Sequence, residues 1–373
     1  MCKDKTKIMA VAGSSGGHIY PAVAFLSALK SLRPEVELML VLPEKHIPVD
    51  ACDPALAVRH ISVSSFKNRT VFGFLYCGFD FLKGMFESLR LLIEFKPDLV
   101  VGFGSIASVP VIIFARFAGI RTLIHEQNVL PGKANQLLAA LAHRIAVSFC
   151  ESKAFLKNYE KKVTLTGNPL RKEIFKTGKL EALNFFGLSA DKFTILVTGG
   201  SQGAESINAG FLNACLRLDE KGNFQVFHLC GGRAREELIK SYQQAGISAK
   251  VLSFLKEMRY AYSASDLVVS RGGAIAVSEI AFFQIPAVIV PYPYAHQHQA
   301  GNAGVLAKRG RAFIVEDDEL KTAKLTDILK SAIALSHKLT AAPLGDQGCF
   351  FPDAAERLAN EAIKLATECG DRF

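Results

Sequence analysis

Short continuous apolar runs alternate with segments of helical period along the whole chain. Runs at Ile8–Ala12, Glu37–Leu42, Asp98–Phe103, Arg121–Ile124, Thr194–Thr198, Phe224–Cys230, Leu267–Val269 and Ala287–Val290 have the length and flanking turns of buried strands. Between them lie helical patterns, such as Val23, Leu26 and Leu29 after the first run. Strands that alternate with helices throughout predict an α/β fold with parallel sheets. Most of the strands empty into glycines, at Gly13–Gly17, Gly102–Gly104, Gly199–Gly203, Gly231–Gly232 and Gly272–Gly273. A glycine turn that opens a helix leaves backbone N–H groups facing any anion that approaches. Simple turn chemistry explains each such glycine pair equally well when it is taken alone.

The segment 66–95 departs from this alternation. It holds seven phenylalanines among Lys67, Arg69, Lys83 and Arg90. Phe79, Leu82, Phe86, Leu89 and Ile93 recur at helical spacing and are expected to face the core. Phe72, Phe74, Leu75 and Phe81 fall off that stripe. Apolar side chains off the core face, beside basic ones, suit contact with a membrane surface; a second buried face under a neighbouring loop is the alternative.

A chain of 373 residues, 50% of them hydrophobic, exceeds what one core usually supports and predicts two domains. Thr164–Arg171, with Gly167 and Pro169 together, reads as the connector, giving domains at 1–165 and 166–352 with a terminal helix over about 353–373. That last helix, patterned by Leu358, Ile363 and Leu365, can pack on either domain. The net charge of +9 favours anionic partners without choosing among nucleic acid, membrane and phosphorylated substrate. Eight cysteines with no paired spacing read as reduced thiols in a cytoplasmic protein. The stretch 99–115 contains Gly102, Gly104 and Pro110, and reads as strand, turn and buried helix rather than a membrane span.

The richest chemistry lies between Val268 and Ala303. A carboxylate, Glu279, follows the Gly272–Gly273 turn within two helical turns, where it can grip a ribose diol. His296, Gln297, His298, Gln299 and Asn302 then offer neutral hydrogen-bonding groups suited to a polyhydroxyl ligand. A metal at His296 and His298 would lack a third ligand, and no motif calls for a metal or cofactor. In the first half, His18 leaves the first glycine loop beside whatever that loop holds, or serves there as a helix-start hydrogen-bonder. His125, Glu126 and Asn128 arrive at the carboxyl end of a strand, where ligands gather in open α/β sheets.

Taken together, AGSSGGHIYP, HEQNVLPGKAN, TGNPLR, VTGGSQGA, FLKEM and SRGGAIAVSEIA followed by HQHQAGNA resemble the MurG family of bacterial glycosyltransferases over nearly the whole chain. The resemblance implies a GT-B fold, with two Rossmann-like domains facing a deep cleft and the last helix returning to the first domain. It also implies inverting transfer of N-acetylglucosamine from UDP-N-acetylglucosamine to undecaprenyl-linked lipid I, forming lipid II for peptidoglycan at the cytoplasmic face of the cell membrane, with peripheral attachment to an anionic surface and no nucleic acid. By position, His18 is the catalytic base, with His125 or Glu126 next in line. Ser201, Gln202 and Arg171 serve the donor diphosphate, Leu255 meets uracil through its backbone, and Glu279 binds the ribose. Asn128, His298 and Gln299 hold the sugar, and Ser15, Gly16, Gly17, Gly104 and Ser105 face the acceptor. The chain departs from the family pattern at Ser14 and Ser105, which replace glycines, and at Ile106, which replaces an aromatic residue. Either serine is strained if its position needs positive φ. Transfer to another lipid acceptor, a UDP-N-acetylglucosamine epimerase of the same architecture, and a non-catalytic nucleotide-sugar-binding subunit are the rival readings.

Overall fold

Alternation within single strands sets the layers of the molecule. In the computed structural model of the chain, the described residues are 6–43, 56–63, 71–200, 203–219, 221–232, 234–295, 297–334 and 350–368, with the side chains of 71–77 set aside. The chain divides into two compact units, one formed by 1–171 with 348–373 and the other by 172–347.

The first unit contains β1 (Lys7–Val11), α1 (Gly16–Leu32), β2 (Glu37–Pro43), β3 (Ala57–Ile61), α2 (Val71–Phe95), β4 (Leu99–Gly102), α3 (Ser108–Phe117), β5 (Arg121–Glu126), α4 (Lys133–Leu138), β6 (Arg144–Val147) and β7 (Val163–Leu165). Among the described residues its strands form one parallel sheet in the order β3-β2-β1-β4-β5-β6-β7. Ile8 and Ala10 point to one face of this sheet, Met9 and Val11 to the other, so each face acquires its own core.

The second unit contains α5 (Lys179–Phe186), β8 (Phe193–Thr198), α6 (Glu205–Leu216), β9 (Phe224–Leu229), α7 (Arg235–Gln244), β10 (Ala249–Leu252), α8 (Met258–Ala264), β11 (Leu267–Ser270), α9 (Ala274–Phe283), β12 (Ala287–Ile289), α10 (His298–Lys308), β13 (Ala312–Ile314) and α11 (Lys324–Ala334). Its parallel sheet has the order β10-β9-β8-β11-β12-β13. The last described helix, α12 (Ala354–Thr367), belongs to the first unit and packs on α1. It buries Leu358 and Leu365 in that unit's core, each worth roughly 1.5–3 kcal/mol. Thr164–Arg171, read as a connector, begins as strand β7 and lies within the first unit, where Phe351 and Ala354 close over Gly167.

Helix α2 reverses the expectation for its apolar stripe. Phe79, Leu82, Phe86 and Ile93 are 69%, 65%, 70% and 61% exposed, whereas Phe81, expected to point outward, packs against the core. The buried face instead runs through Gly84, Ser88, Leu92 and Phe95. A Cβ on Gly84 would stand 2.3 Å from the Ser62 carbonyl oxygen, so the helix backbone seats directly on the chain that leaves β3. Ser88 donates to the Gly84 carbonyl at 2.6 Å, and Glu87 accepts from the Ser62 N–H at 2.6 Å. Small residues permit this close approach, and hydropathy counting does not register them as a packing face. Lys67 and Arg69, together with the side chains of Phe72, Phe74 and Leu75, lie outside the described residues.

One cysteine also departs from expectation. Cys150 is disulfide-bonded, while Cys215 and Cys230 are free and buried. No described helix is long and apolar enough to cross a membrane.

Candidate active site

Because β1, β4 and β5 are neighbours, the turns at their carboxyl ends lie side by side in the first unit. The first turn runs from Gly13 to the start of α1, where the backbone N–H groups of Gly16 and Gly17 lack intrahelical acceptors, as at any helix start. His18 donates its N–H to the Ser15 carbonyl at 3.0 Å, and its Nδ1 lies 2.8 Å from Ser15 Oγ. The ring is half-buried, and loss of solvent lowers its pKa from 6.5 to about 4.

The second turn places Gly104 and Ser105 consecutively in left-handed backbone, at φ +78° and +68°. For the serine this costs roughly 1–2 kcal/mol. The same strain does not arise at Ser14, whose φ is not positive. A Cβ on Gly104 would lie 3.4 Å from His18 Nε2 and 3.6 Å from Asn135 Nδ2, so the glycine leaves open the space between them. Ser108 is buried and donates to the Gly104 carbonyl at 2.6 Å.

The third turn is organised by Glu126, which is 1% exposed. Its Oε1 accepts from the N–H and Nδ2 of Asn128 at 2.8 and 3.2 Å; its Oε2 accepts from Gly132 N–H at 2.9 Å and Asn135 Nδ2 at 2.8 Å. Burial raises the pKa of this carboxyl, and those donors oppose the rise. His125 is fully buried, donates from Nε2 to the Gly167 carbonyl at 3.1 Å, and accepts at Nδ1 from Gln127 Nε2 at 3.2 Å. Both ring nitrogens are thus committed, and burial lowers this pKa too, to about 4. Neither His125 nor Glu126 presents an open basic atom, so their expected place as substitute bases gives way to a structural one. Asn128 is half-buried, and the Arg171 guanidinium stacks 4.6 Å above the Tyr20 ring, both within the first unit.

In the second unit β8, β11 and β12 are adjacent and again bring their turns together. Gln299 Oε1 accepts from the N–H groups of Gly272 at 3.1 Å and Tyr292 at 2.9 Å, and Asn302 Nδ2 donates to the Gly272 carbonyl at 3.0 Å. A Cβ on Gly272 would stand 2.4 Å from the Gln299 carbonyl oxygen, so only glycine lets α9 and α10 start this close together. Glu279 is 4% exposed on α9, and its Oε2 accepts the Tyr262 hydroxyl at 2.9 Å. His298 is half-buried at the start of α10, and Leu255 is half-buried in the turn after edge strand β10. Ser201, Gln202 and His296 lie outside the described residues.

Two residues behind these turns escape a reading of the sequence. Arg271 is buried at the end of β11, where it bonds to the Asp317 carboxylate, to Ser206 Oγ at 2.7 Å, and to the Val290 and Pro291 carbonyls at 3.3 Å. It ties the ends of two strands to the start of α6, and its only signal is its place before Gly272–Gly273. Asn208 on α6 donates to the Cys230 carbonyl at 3.0 Å and accepts from His228 Nε2 at 3.0 Å. Nothing in its sequence spacing separates it from a surface asparagine.

Helix-start N–H groups lie among serine hydroxyls in the first unit, and in the second a buried carboxylate sits on the helix that follows a turn held by two amide side chains. The first arrangement suits phosphate oxygens, the second a nucleoside sugar. Residues 8–147 match the Glycosyltransferase family 28 N-terminal domain and residues 194–358 the Glycosyltransferase family 28 C-terminal domain. The fold, with an α/β sheet in each of two units, is the GT-B fold of a glycosyltransferase. The solved structure of Acinetobacter baumannii MurG is 26% identical with a TM-score of 0.74, covering 96% of this chain and 99% of that one. A Halothermothrix orenii protein named UDP-N-acetylglucosamine--N-acetylmuramyl-(pentapeptide) pyrophosphoryl-undecaprenol N-acetylglucosamine transferase is 36% identical, covering 88% of this chain and 90% of its own. Its namesake from Bacillus subtilis is 34% identical over 93% and 96%. The chain belongs to this MurG family of transferases.

Proposed function

We propose that the chain moves N-acetylglucosamine from UDP-N-acetylglucosamine to lipid I, forming lipid II in peptidoglycan synthesis, with most donor groups in the second unit and the acceptor groups in the first. The observation that carries this reading is the pairing, within one transferase family member, of a buried Glu279, on the helix that follows the Gly272–Gln299 junction, with a His18 ring open toward Gly104. Glu279 takes the ribose hydroxyls, the Ser201–Gln202 loop and Arg171 the donor diphosphate, and the Leu255 backbone the base. Gln299 keeps its carbonyl on two N–H groups and turns its amide NH2 to the sugar, with Asn128 and His298. Ser15, Gly16, Gly17, Gly104 and Ser105 surround the acceptor.

The muramyl hydroxyl attacks the anomeric carbon as its bond to UDP breaks, inverting the configuration there. His18, neutral because of its lowered pKa, takes the hydroxyl proton. Charge gathering on UDP is met by backbone N–H groups at a helix start and by Arg171. The lowered pKa makes the ring a weaker base while keeping it unprotonated at every physiological pH.

The acceptor is a bilayer lipid, and we place the chain peripherally on the cytoplasmic face of the membrane. Exposed Phe79, Leu82, Phe86 and Ile93 of α2 join Phe72, Phe74 and Leu75 in the apolar contact, while Phe81, packed against the core, leaves that set; Phe117 of neighbouring α3, itself 80% exposed, adds to it. Arg116, Arg121, Arg144 and Lys162 add positive charge, and the pKa of His143 among them is lowered first by burial and then by these cations.

Incubation with UDP-N-acetylglucosamine, with and without lipid I, tests the reading. A transferase releases UDP and forms lipid II only when the lipid is present. Conversion of the sugar without acceptor would establish an epimerase, and no turnover in either arm a binding subunit.

A further inference from the structure

We propose that Arg271 is a positioning residue for the transfer: with Asp317 and Ser206 it holds the start of α6, and the loop ahead of that helix, in register with the turns that carry Gln299. The inference rests on the transferase reading above, which gives the donor diphosphate to that loop and the sugar to Gln299, and adds the group that fixes one against the other.

Arg271 is 9% exposed, and it reaches the chain that follows each of the adjacent strands β8, β11, β12 and β13. It stands itself at the end of β11. Its Nη1 donates to the Val290 and Pro291 carbonyls after β12, each at 3.3 Å, and to the Asp317 carboxylate after β13. Its Nη2 donates to Ser206 Oγ at 2.7 Å, in the first turn of the helix that follows β8. Ser206 in turn donates to Asp317 Oδ1 at 2.9 Å, so the hydroxyl uses both its proton and a lone pair and the triangle closes. The guanidinium carbon also lies 5.4 Å from the centre of the Tyr292 ring, and the Tyr292 N–H donates to Gln299 Oε1 at 2.9 Å. One side chain thereby connects α6 to the residue that offers its amide to the sugar.

On its other flank α6 is fixed independently. Asn208 donates to the Cys230 carbonyl at 3.0 Å, and a Cβ on Gly203 would lie 2.4 Å from the same oxygen. The helix start is therefore set against the end of β9 from one side and against the turns after β11, β12 and β13 from the other. Both terminal nitrogens of Arg271 face protein acceptors and Asp317 balances its charge, so the guanidinium is not itself a phosphate ligand. Nor is such a pair a device for stability alone. A buried ion pair adds little over apolar packing of the same volume, and its best-attested use is to specify one arrangement among several. This pair links only the carboxyl ends of strands, the edge at which ligands bind in open α/β sheets. A donor that spans two subsites reacts at a rate set by their alignment, so Arg271 acts on the reaction through α6 and Gln299 without touching substrate.

Ser206→Ala removes the link to α6 while Arg271 keeps Asp317 and both carbonyls, so no buried charge loses its partner. The melting temperature should fall by only ~2–4 °C, the effect of about one net hydrogen bond. UDP, which lacks the sugar, should bind with wild-type affinity by calorimetry. UDP-N-acetylglucosamine should bind more weakly, and kcat for transfer to lipid I should fall about ten- to hundredfold. Ser206→Thr, which restores the hydroxyl, should return turnover toward the wild-type value; Ser206→Val, of the same shape without it, should not. With lipid II formation by the wild type intact, three outcomes would each overturn the inference alone: wild-type kcat in Ser206→Ala, equal turnover in the Thr and Val variants, or equal losses of affinity for UDP and UDP-N-acetylglucosamine, the pattern of a purely structural role. Absence of transfer to lipid I by the wild type would instead overturn the transferase reading, and the inference with it.

Discussion

The Tyr262 hydroxyl donates to Glu279 Oε2 at 2.9 Å, fixing from beneath a carboxylate that is almost wholly withdrawn from solvent. One oxygen is oriented before any ligand arrives, which limits the conformational entropy that binding must remove. Glu279→Ala should weaken UDP binding roughly ten- to hundredfold by calorimetry, the worth of about 1.5–3 kcal/mol for bonds to a charged group. Tyr262→Phe, which loses one net hydrogen bond, should weaken it only about two- to tenfold. Unchanged affinity in a folded Glu279→Ala protein would remove the ribose assignment.

His18 has its pKa lowered to about 4 by burial, so the ring is neutral throughout the range in which the enzyme is assayed. The pH profile of kcat/KM should then show no ionisation near 6.5 belonging to this residue. His18→Ala should lose about 10²–10⁴ in turnover and keep its UDP affinity, since a proton transferred only in the transition state does not appear in ground-state binding. Wild-type turnover in that variant would make His18 a structural residue of the loop.

His125 and His228 are fully buried, and both have pKa values lowered to about 4 by burial. In the unfolded chain each returns to about 6.5. Below that pH the unfolded state binds protons that the native state does not, so stability is fully present above about 6.5 and drains away as pH falls toward 4. The loss approaches ~3 kcal/mol per ring. Urea midpoints between pH 7.5 and 4.5 should fall accordingly. For His228→Gln the acid-side slope should be shallower, and a slope equal to that of the wild type would contradict the assignment.

Gly272 is enclosed by Gln299 on its N–H side and Asn302 on its carbonyl side. Gly272→Ala would place a methyl group 2.4 Å from the Gln299 carbonyl oxygen, so α9 and α10 must separate. A destabilisation of about 1–3 kcal/mol, together with weaker UDP-N-acetylglucosamine binding, is the expected outcome of such overpacking. Gln299→Ala should weaken binding of UDP-N-acetylglucosamine more than of UDP, because the amide serves the sugar. Equal losses for the two ligands would shift its role to the turn alone.

Phe79 and Phe86 are each about 70% exposed on one face of α2, where ordinary folding energetics would not keep them. The pair Phe79→Ser/Phe86→Ser should reduce co-sedimentation with anionic liposomes while leaving the melting temperature near that of the wild type. Wild-type binding should also fall as salt rises, through screening of Arg116, Arg121, Arg144 and Lys162. A stability loss without a binding loss would assign the face to internal packing.

Period and punctuation were enough to specify the parallel α/β organisation, because a buried strand such as Ile8–Ala12 and a glycine turn such as Gly13–Gly17 are set by neighbours a few residues away. The family motifs likewise marked His18, Glu279 and Gln299 in the linear chain. Which face of α2 is buried was not legible there. Close backbone approach at Gly84 and the Ser62–Glu87 bonds decided it, and these depend on a partner more than twenty residues distant. Tertiary packing also decided that His125 and Glu126 support the turn rather than act as bases, since their partners, Gly167 and Asn135 among them, meet only in the folded sheet. Arg271 and Asn208 followed the same rule. A side chain's chemical type is written in its own residue, whereas its solvation and hydrogen-bond partners arise from contacts that exist only once distant strands are brought side by side.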